Sequence, residues 1–196
     1  MTEPLTFALQ PFQPTPTTET VSIVGSAARR NNALKVVYRL KGNCAAVAIP
    51  NISQIASSDI GASHLRQNYL WERTCFEFFL CQGTSPHKSQ PYWEFNLSPN
   101  GAWNVFSLEA YRQNTLESSA FRSLPFAVEL SPQALQLEIN IDLTALVSAD
   151  APIQVGISAV LLFESQGQAA EESFWAIAHP GPEADFHHPD SFVLSL

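Results

Sequence analysis

Positive charge is scarce in this 196-residue sequence: ten Lys and Arg stand against eighteen Asp and Glu, for a net charge of −8. The basic residues are scattered, with no run longer than Arg29-Arg30. That distribution excludes nucleic acid and anionic membrane surfaces as partners, because both need clustered cations. Long apolar runs are also missing; nothing approaches the ~18 consecutive apolar residues of a spanning helix. The opening MTEPLTFALQPF lacks the basic region and apolar stretch of a secretion signal, so a cytoplasmic protein is expected. Cysteine is limited to Cys44, Cys75 and Cys81, an odd count without metal-ligand spacing. A disulfide framework is therefore not expected, and Cys75 and Cys81 read as small buried fillers. Charged residues make up only 14% against 45% apolar, which excludes disorder and calls for a substantial core. The length suits one domain spanning 1–196.

What is present is a succession of short, alternating segments separated by Gly, Pro, Asn and Ser. Pro4 to Thr18 reads as an edge strand leading into a proline-stiffened connector. Thr20 to Val24, Ala33 to Leu40 and Cys44 to Ile49 read as strands, and Pro50 to Gln67 as a long loop. Leu135, Leu137, Ile139 and Ile141 alternate with Gln136, Glu138, Asn140 and Asp142, the pattern of a half-buried strand, paired in a hairpin with Pro125 to Leu130 around Ser131-Pro132. Ile153 to Glu164 becomes apolar on both faces after Ser158, as a covered central strand does. Ser107 to Leu116 is the one short helix expected. About ten strands in this arrangement predict an all-β fold, an antiparallel β-sandwich or jelly roll.

The unusual residues concentrate between Tyr69 and Phe106. YLWERTCFEFFLC, YWEFNLSP and AWNVF read as a three-stranded meander. Strand parity puts Phe76, Phe78 and Leu80 on one face and Trp71, Arg73, Glu77 and Phe79 on the other. In the second strand Trp93, Phe95 and Leu97 alternate with Glu94 and Asn96. The side taken by Trp103 depends on the Ser98-Pro99-Asn100-Gly101 turn. A two-residue loop brings it to Glu94 and Asn96, whereas a three-residue loop with a bulge sends it to the opposite face.

LWERTCFEFFL, YWEFNLSPNGAWNVF and FWAIAHPGPEADFHHPDSFVLSL together resemble the DOMON-like domains related to family-nine carbohydrate-binding modules, over most of the chain after Tyr69. That resemblance implies an antiparallel β-sandwich and a sugar end held between two tryptophans, with carboxylate and guanidinium groups on its hydroxyls. It makes Trp71 and Trp175 the paired rings and Glu77 the carboxylate. The family usually has acidic residues between its first Trp and the Glu, where this chain has Glu72-Arg73-Thr74, a departure that bears on any structural calcium.

Ring faces suit the C–H faces of a pyranose, and Glu, Asn and Arg suit its hydroxyls. The expected function is a non-catalytic module for a carbohydrate or related small ligand, such as an intracellular sugar, nucleotide-sugar or cell-wall precursor. Its site would combine Trp71, Arg73, Glu77, Glu94, Asn96 and Trp175, with Trp103 and His179 at the edge. Glu77 and Glu94 as a general acid–base pair would instead make an enzyme, but no nucleophile signature accompanies them. His179, His187 and His188 lack zinc spacing and sit beside prolines as turn residues do. Two other readings stay open. Some DOMON-like domains bind haem through Met and His; here Met1 is the only methionine, so a haem would need two of His64, His87 and His179 to converge. The aromatic face could equally dock a protein partner. No cofactor is expected.

Overall fold

The structure, a computed structural model, describes residues 3–49, 60, 62, 65–131, 133–164 and 170–196. Its strands in chain order are β1 Leu5–Pro11, β2 Val21–Arg30, β3 Ala33–Gly42, β4 Cys75–Gln82, β5 Tyr92–Leu97, β6 Trp103–Leu108, β7 Leu116–Glu117, β8 Phe126–Ser131, β9 Ala134–Asp142, β10 Ile153–Phe163, β11 Glu171–Ala176 and β12 Leu194–Ser195. Every pairing between these strands is antiparallel. One sheet runs β1-β2-β3-β9-β8 and the other β7-β6-β5-β4-β10-β11, with β12 following β11 along the same side of β10. The molecule is thus the expected antiparallel β-sandwich.

The first strand belongs to both sheets. Leu5 to Leu9 pair with β2, after which Gln10 and Pro11 pair with β11. It is therefore an interior strand, where the sequence suggested an edge. Its Phe7 ring explains Gly25 on β2: a Cβ there would lie 2.0 Å from the Val37 carbonyl oxygen and 2.4 Å from Phe7 Cζ.

The sandwich core is built by alternation. Leu135, Leu137, Ile139 and Ile141 of β9 are buried, as are Leu34, Val36, Tyr38 and Leu40 of β3. From the facing sheet come Phe76, Phe78 and Leu80, then Phe95, Leu97 and Val105. Phe78 and Phe95 stack at 4.3 Å between ring centroids with 9° between planes. The Tyr38 hydroxyl crosses the core and donates to the Glu77 backbone carbonyl at 2.6 Å, so its one polar atom is satisfied. β10, buried along nearly its whole length, is the covered central strand that its composition predicts.

Local chemistry overrides three expectations. Ser107 to Leu116 is not a helix: β6 continues to Leu108, Ala110 bridges Gln113 across a tight turn, and the chain returns as β7. Arg112 and Asn114 take φ of 54° and 52°, a left-handed conformation that ends any right-handed helix. Cys44–Ala46 forms a 3-10 turn, leaving only Val47 to bridge Phe163 in place of a strand. Most of the loop from Pro50 lies outside the described residues. The three cysteines are buried and free, and no helix among the described residues is long and apolar enough to cross a membrane.

Candidate functional site

The meander β4-β5-β6 has two faces of opposite character. One meets the sandwich core. On the other, the strand registers align Asn104, Asn96, Glu77 and Ser158 in one row and Phe106, Glu94, Phe79 and Gly156 in the next. This outer face is roofed by chain from elsewhere. The 3-10 turn Leu70–Glu72 carries Trp71 over it, and the segment after β11 brings Phe186, His187 and Phe192 onto Phe79, Cys81 and Tyr92. Gly156 lets the Pro189–Ser191 turn lie close, since a Cβ there would already be 3.3 Å from the Ser191 carbonyl oxygen.

Between roof and sheet lies a cavity of about 500 Å³. Trp71, Phe174 and Phe186 supply its rings. Trp71 packs its edge on Phe106 at 5.8 Å, and Phe174, opposite Val160 in register, contacts Phe186 at 6.1 Å. The acidic side chains of Glu72, Glu77, Glu94 and Glu172 reach the same space, along with Arg112 and His187.

Burial sets the electrostatics of the floor. Glu77 is 3% exposed and Glu94 6%. Asn96 donates to Glu94 Oε1 at 2.7 Å, which offsets part of the cost of burial, and the Glu94 carboxyl is pushed up to about 6. Glu77 is also raised well above the ordinary carboxyl value, by its burial first and by the nearby Glu94 charge second. Its Oε1 has no hydrogen-bond partner among the described residues, nor does the Ser158 hydroxyl beside it in register. His187 is pushed down to about 4, by burial and then by Arg112, so near neutral pH an uncharged imidazole stands 3.8 Å from Glu94 Oε2. Tyr92 hydroxyl holds that ring through Nδ1 at 2.8 Å. At the rim, Arg112 pairs with Asp185 at 2.8 Å and Tyr111 hydroxyl donates to the same carboxylate at 2.5 Å. These two bonds outweigh the effect of burial and hold Asp185 below the usual carboxylate range.

Of the residues expected in one site, Trp71, Glu77 and Glu94 line the cavity, and fully buried Asn96 supports Glu94 from beneath. Four others lie elsewhere. Arg73 is exposed and does not line the cavity, because the strand begins only at Cys75 and the preceding 3-10 turn breaks the parity that grouped it with Glu77. Trp103 is fully buried in the sandwich core, its Nε1 donating to the Ala62 carbonyl at 2.9 Å. The reason is the turn: Ser98 N–H bonds the Ala102 carbonyl, leaving a three-residue loop with Gly101 at φ 90°. Trp175 is 2% exposed in the same core, and its neighbour Phe174 takes the cavity side by alternation. His179 sits at the end of β1, where Nε2 lies 2.9 Å from the Gln10 carbonyl and the ring packs on Phe12. His87 is on a separate cleft with Cys81 and Gln90, and His64 is outside the described residues.

Sequence patterns missed Arg112, His187, Phe174 and Phe186. Arg112 was hidden in the segment taken as helical, His187 in a stretch rich in turn formers, and Phe174 by the more conspicuous Trp175. Among the described residues no three His, Cys, Asp or Glu side chains form a group that could hold a metal ion.

No family model and no curated protein matches the sequence. Among solved structures the fold is similar to a candidate carbohydrate-binding protein from Bacteroides uniformis, at TM-score 0.60 and 16% identity over 95% of this chain and 84% of that one. It is also similar to a family-nine carbohydrate-binding module from Caldicellulosiruptor kristjanssonii in complex with glucose, at TM-score 0.51 and 10% identity over 94% of this chain and 78% of that one. At these identities the likeness establishes the β-sandwich shared with carbohydrate-binding modules.

Proposed function

We propose that this chain is a non-catalytic, DOMON-like carbohydrate-binding module and that the ligand enters the cavity under Trp71. The observation that carries this reading is the floor: a buried Glu77 oxygen without a protein partner, beside a Glu94–Asn96 pair, beneath aromatic rings. Sugar hydroxyls can donate to such an acceptor, and a pyranose face can stack on Trp71 or Phe174. Support comes from the sandwich shared with a glucose-binding module. The second ring in this reading is Phe174, replacing the Trp175 that family resemblance suggested.

Catalysis fits the geometry poorly. Glycosidases place two carboxyl groups on either side of the scissile bond. Glu77 and Glu94 rise from the same face of neighbouring strands and meet the same side of any ligand.

Titration calorimetry over mono- and disaccharides, starting with glucose, tests the reading. Binding that Trp71→Ala or Phe174→Ala weakens by about fivefold or more, with the fold retained by circular dichroism, is the expected result. Absence of any sugar binding, or unchanged affinity in both variants, overturns it.

A further inference from the structure

The cavity is more acidic than a neutral sugar requires. Glu72, Glu77, Glu94 and Glu172 all line it, and among the described residues Arg112 is its only lining group with a permanent positive charge. That guanidinium is already engaged: it holds Asp185 at 2.8 Å and lies 5.9 Å from the Tyr111 ring centroid. Glu72 and Glu172 form no ion pair among the described residues, and burial keeps the nearby His187 uncharged near neutral pH. Acidity alone would be an ordinary surface property. The second observation sets this cavity apart: Glu77, only 3% exposed, lines its floor, and its Oε1 has no hydrogen-bond partner among the described residues.

Burial makes the charged form of Glu77 costly and favours its protonated form, and a cation that enters from outside reverses that balance, stabilising the carboxylate as its proton passes to solvent. A bare metal ion would need several converging donors, and among the described residues no three-residue His, Cys, Asp or Glu group is present. The walls instead carry the rings of Trp71, Phe174 and Phe186, a kind of surface that attracts organic ammonium groups. Resting on the sugar-binding reading above, we infer that the ligand is an amine-bearing pyranose, a hexosamine whose protonated primary amine pairs with the Glu77 carboxylate while its ring stacks on the aromatic wall. Glu72 and Glu172 at the mouth raise the local concentration of the cation.

The test compares glucosamine, galactosamine and mannosamine with glucose and N-acetylglucosamine by titration calorimetry of the intact chain near neutral pH. At least one free hexosamine should bind about tenfold tighter than glucose, the margin of a charge-assisted over a neutral hydrogen bond. N-acetylglucosamine, which keeps the nitrogen but not its charge, should show no such gain. Butylamine, an ammonium without the ring, should bind far more weakly than the preferred hexosamine. Glu77→Gln keeps the shape of the side chain and should remove the preference, so that hexosamine and glucose differ in affinity by less than about twofold in the variant. If that variant does not fold, the wild-type ligand series alone decides. Equal affinity for glucose and all three hexosamines overturns the ammonium assignment and leaves the sugar site standing. Butylamine binding as tightly as any hexosamine overturns the pyranose part. No binding by any of these sugars overturns both.

Discussion

The two faces of β4 differ by one residue in sequence and by almost everything in chemistry. Phe76, Phe78 and Leu80 enter a core of apolar side chains in which Tyr38 and Trp103 have their polar atoms satisfied and Trp175 Nε1 is left without a partner among the described residues. Glu77, between the first two, is as deeply buried but has an oxygen with no partner. Burial by itself therefore does not separate structural from functional side chains. The kind of orphan is more telling: among the described residues the core leaves the Trp175 indole N–H unpaired, whereas the face read as the site leaves a carboxyl oxygen and a hydroxyl without partners.

Substitutions can break this contrast from either side. The largest effect belongs to the inner face. Trp103→Ala removes a fully buried ring and leaves a void, and should cost ~3–5 kcal/mol of unfolding free energy by denaturant titration. Trp71→Ala comes next. Its ring is half-buried over the cavity, so it should lose ~1–3 kcal/mol of sugar affinity by calorimetry while the denaturation midpoint moves little.

A smaller effect is a change in pH dependence. The Glu77 and Glu94 carboxyls are raised in the folded chain, so the folded state holds their protons longer than the unfolded state does. Their contribution to stability is most favourable below the unfolded carboxyl value. It declines as pH rises through the folded values, about 6 for Glu94 and well above the ordinary carboxyl value for Glu77. His187, depressed to about 4, acts in the opposite direction: its contribution is present above the ordinary imidazole range and is lost as pH falls toward 4. Glu77→Gln removes one carboxyl from this balance. Relative to the parent, the variant should gain stability between about pH 5 and pH 8, as read by urea midpoints at both values. The smallest effect is expected for Arg73→Ala. The side chain is exposed and outside the cavity, so both affinity and stability should stay within ~0.5 kcal/mol of the parent.

Alternation made the fold legible. It located β9 and its buried face, and it assigned Phe76, Phe78 and Leu80 to the core. It also put Glu77 and Glu94 on one side of the meander, because both lie within strands whose register holds. It failed where a turn interrupts the strand. Arg73 was carried along by parity from a strand that starts only at Cys75, and one extra loop residue at Gly101 moved Trp103 through the sheet. Resemblance failed at Trp175 for a related reason, since a shift of one position exchanges the core for the cavity. Arg112, Phe186 and His187 were beyond local pattern. They reach the site through loops that cross the outer face, and nothing in a strand's own sequence tells which distant loop will cover it.

The strand shared by both sheets also governs the order of events during folding. Residues at the start of β1 can pair with β2 as soon as that hairpin exists. Gln10 and Pro11 must wait for Ala176 and Trp175, near the other end of the chain. Closing that gap early carries a large loop entropy, so the seam between the sheets should form late and folding should fall in the millisecond-to-second range of non-local β-proteins. Phe174 does not depend on that seam: the β10–β11 pairing sets it opposite Val160, so its part of the ring wall can form once the chain extends through β11. A nascent chain arrested before Glu171 would hold the Glu77 carboxyl on β4 but neither Phe174 nor Phe186 above it.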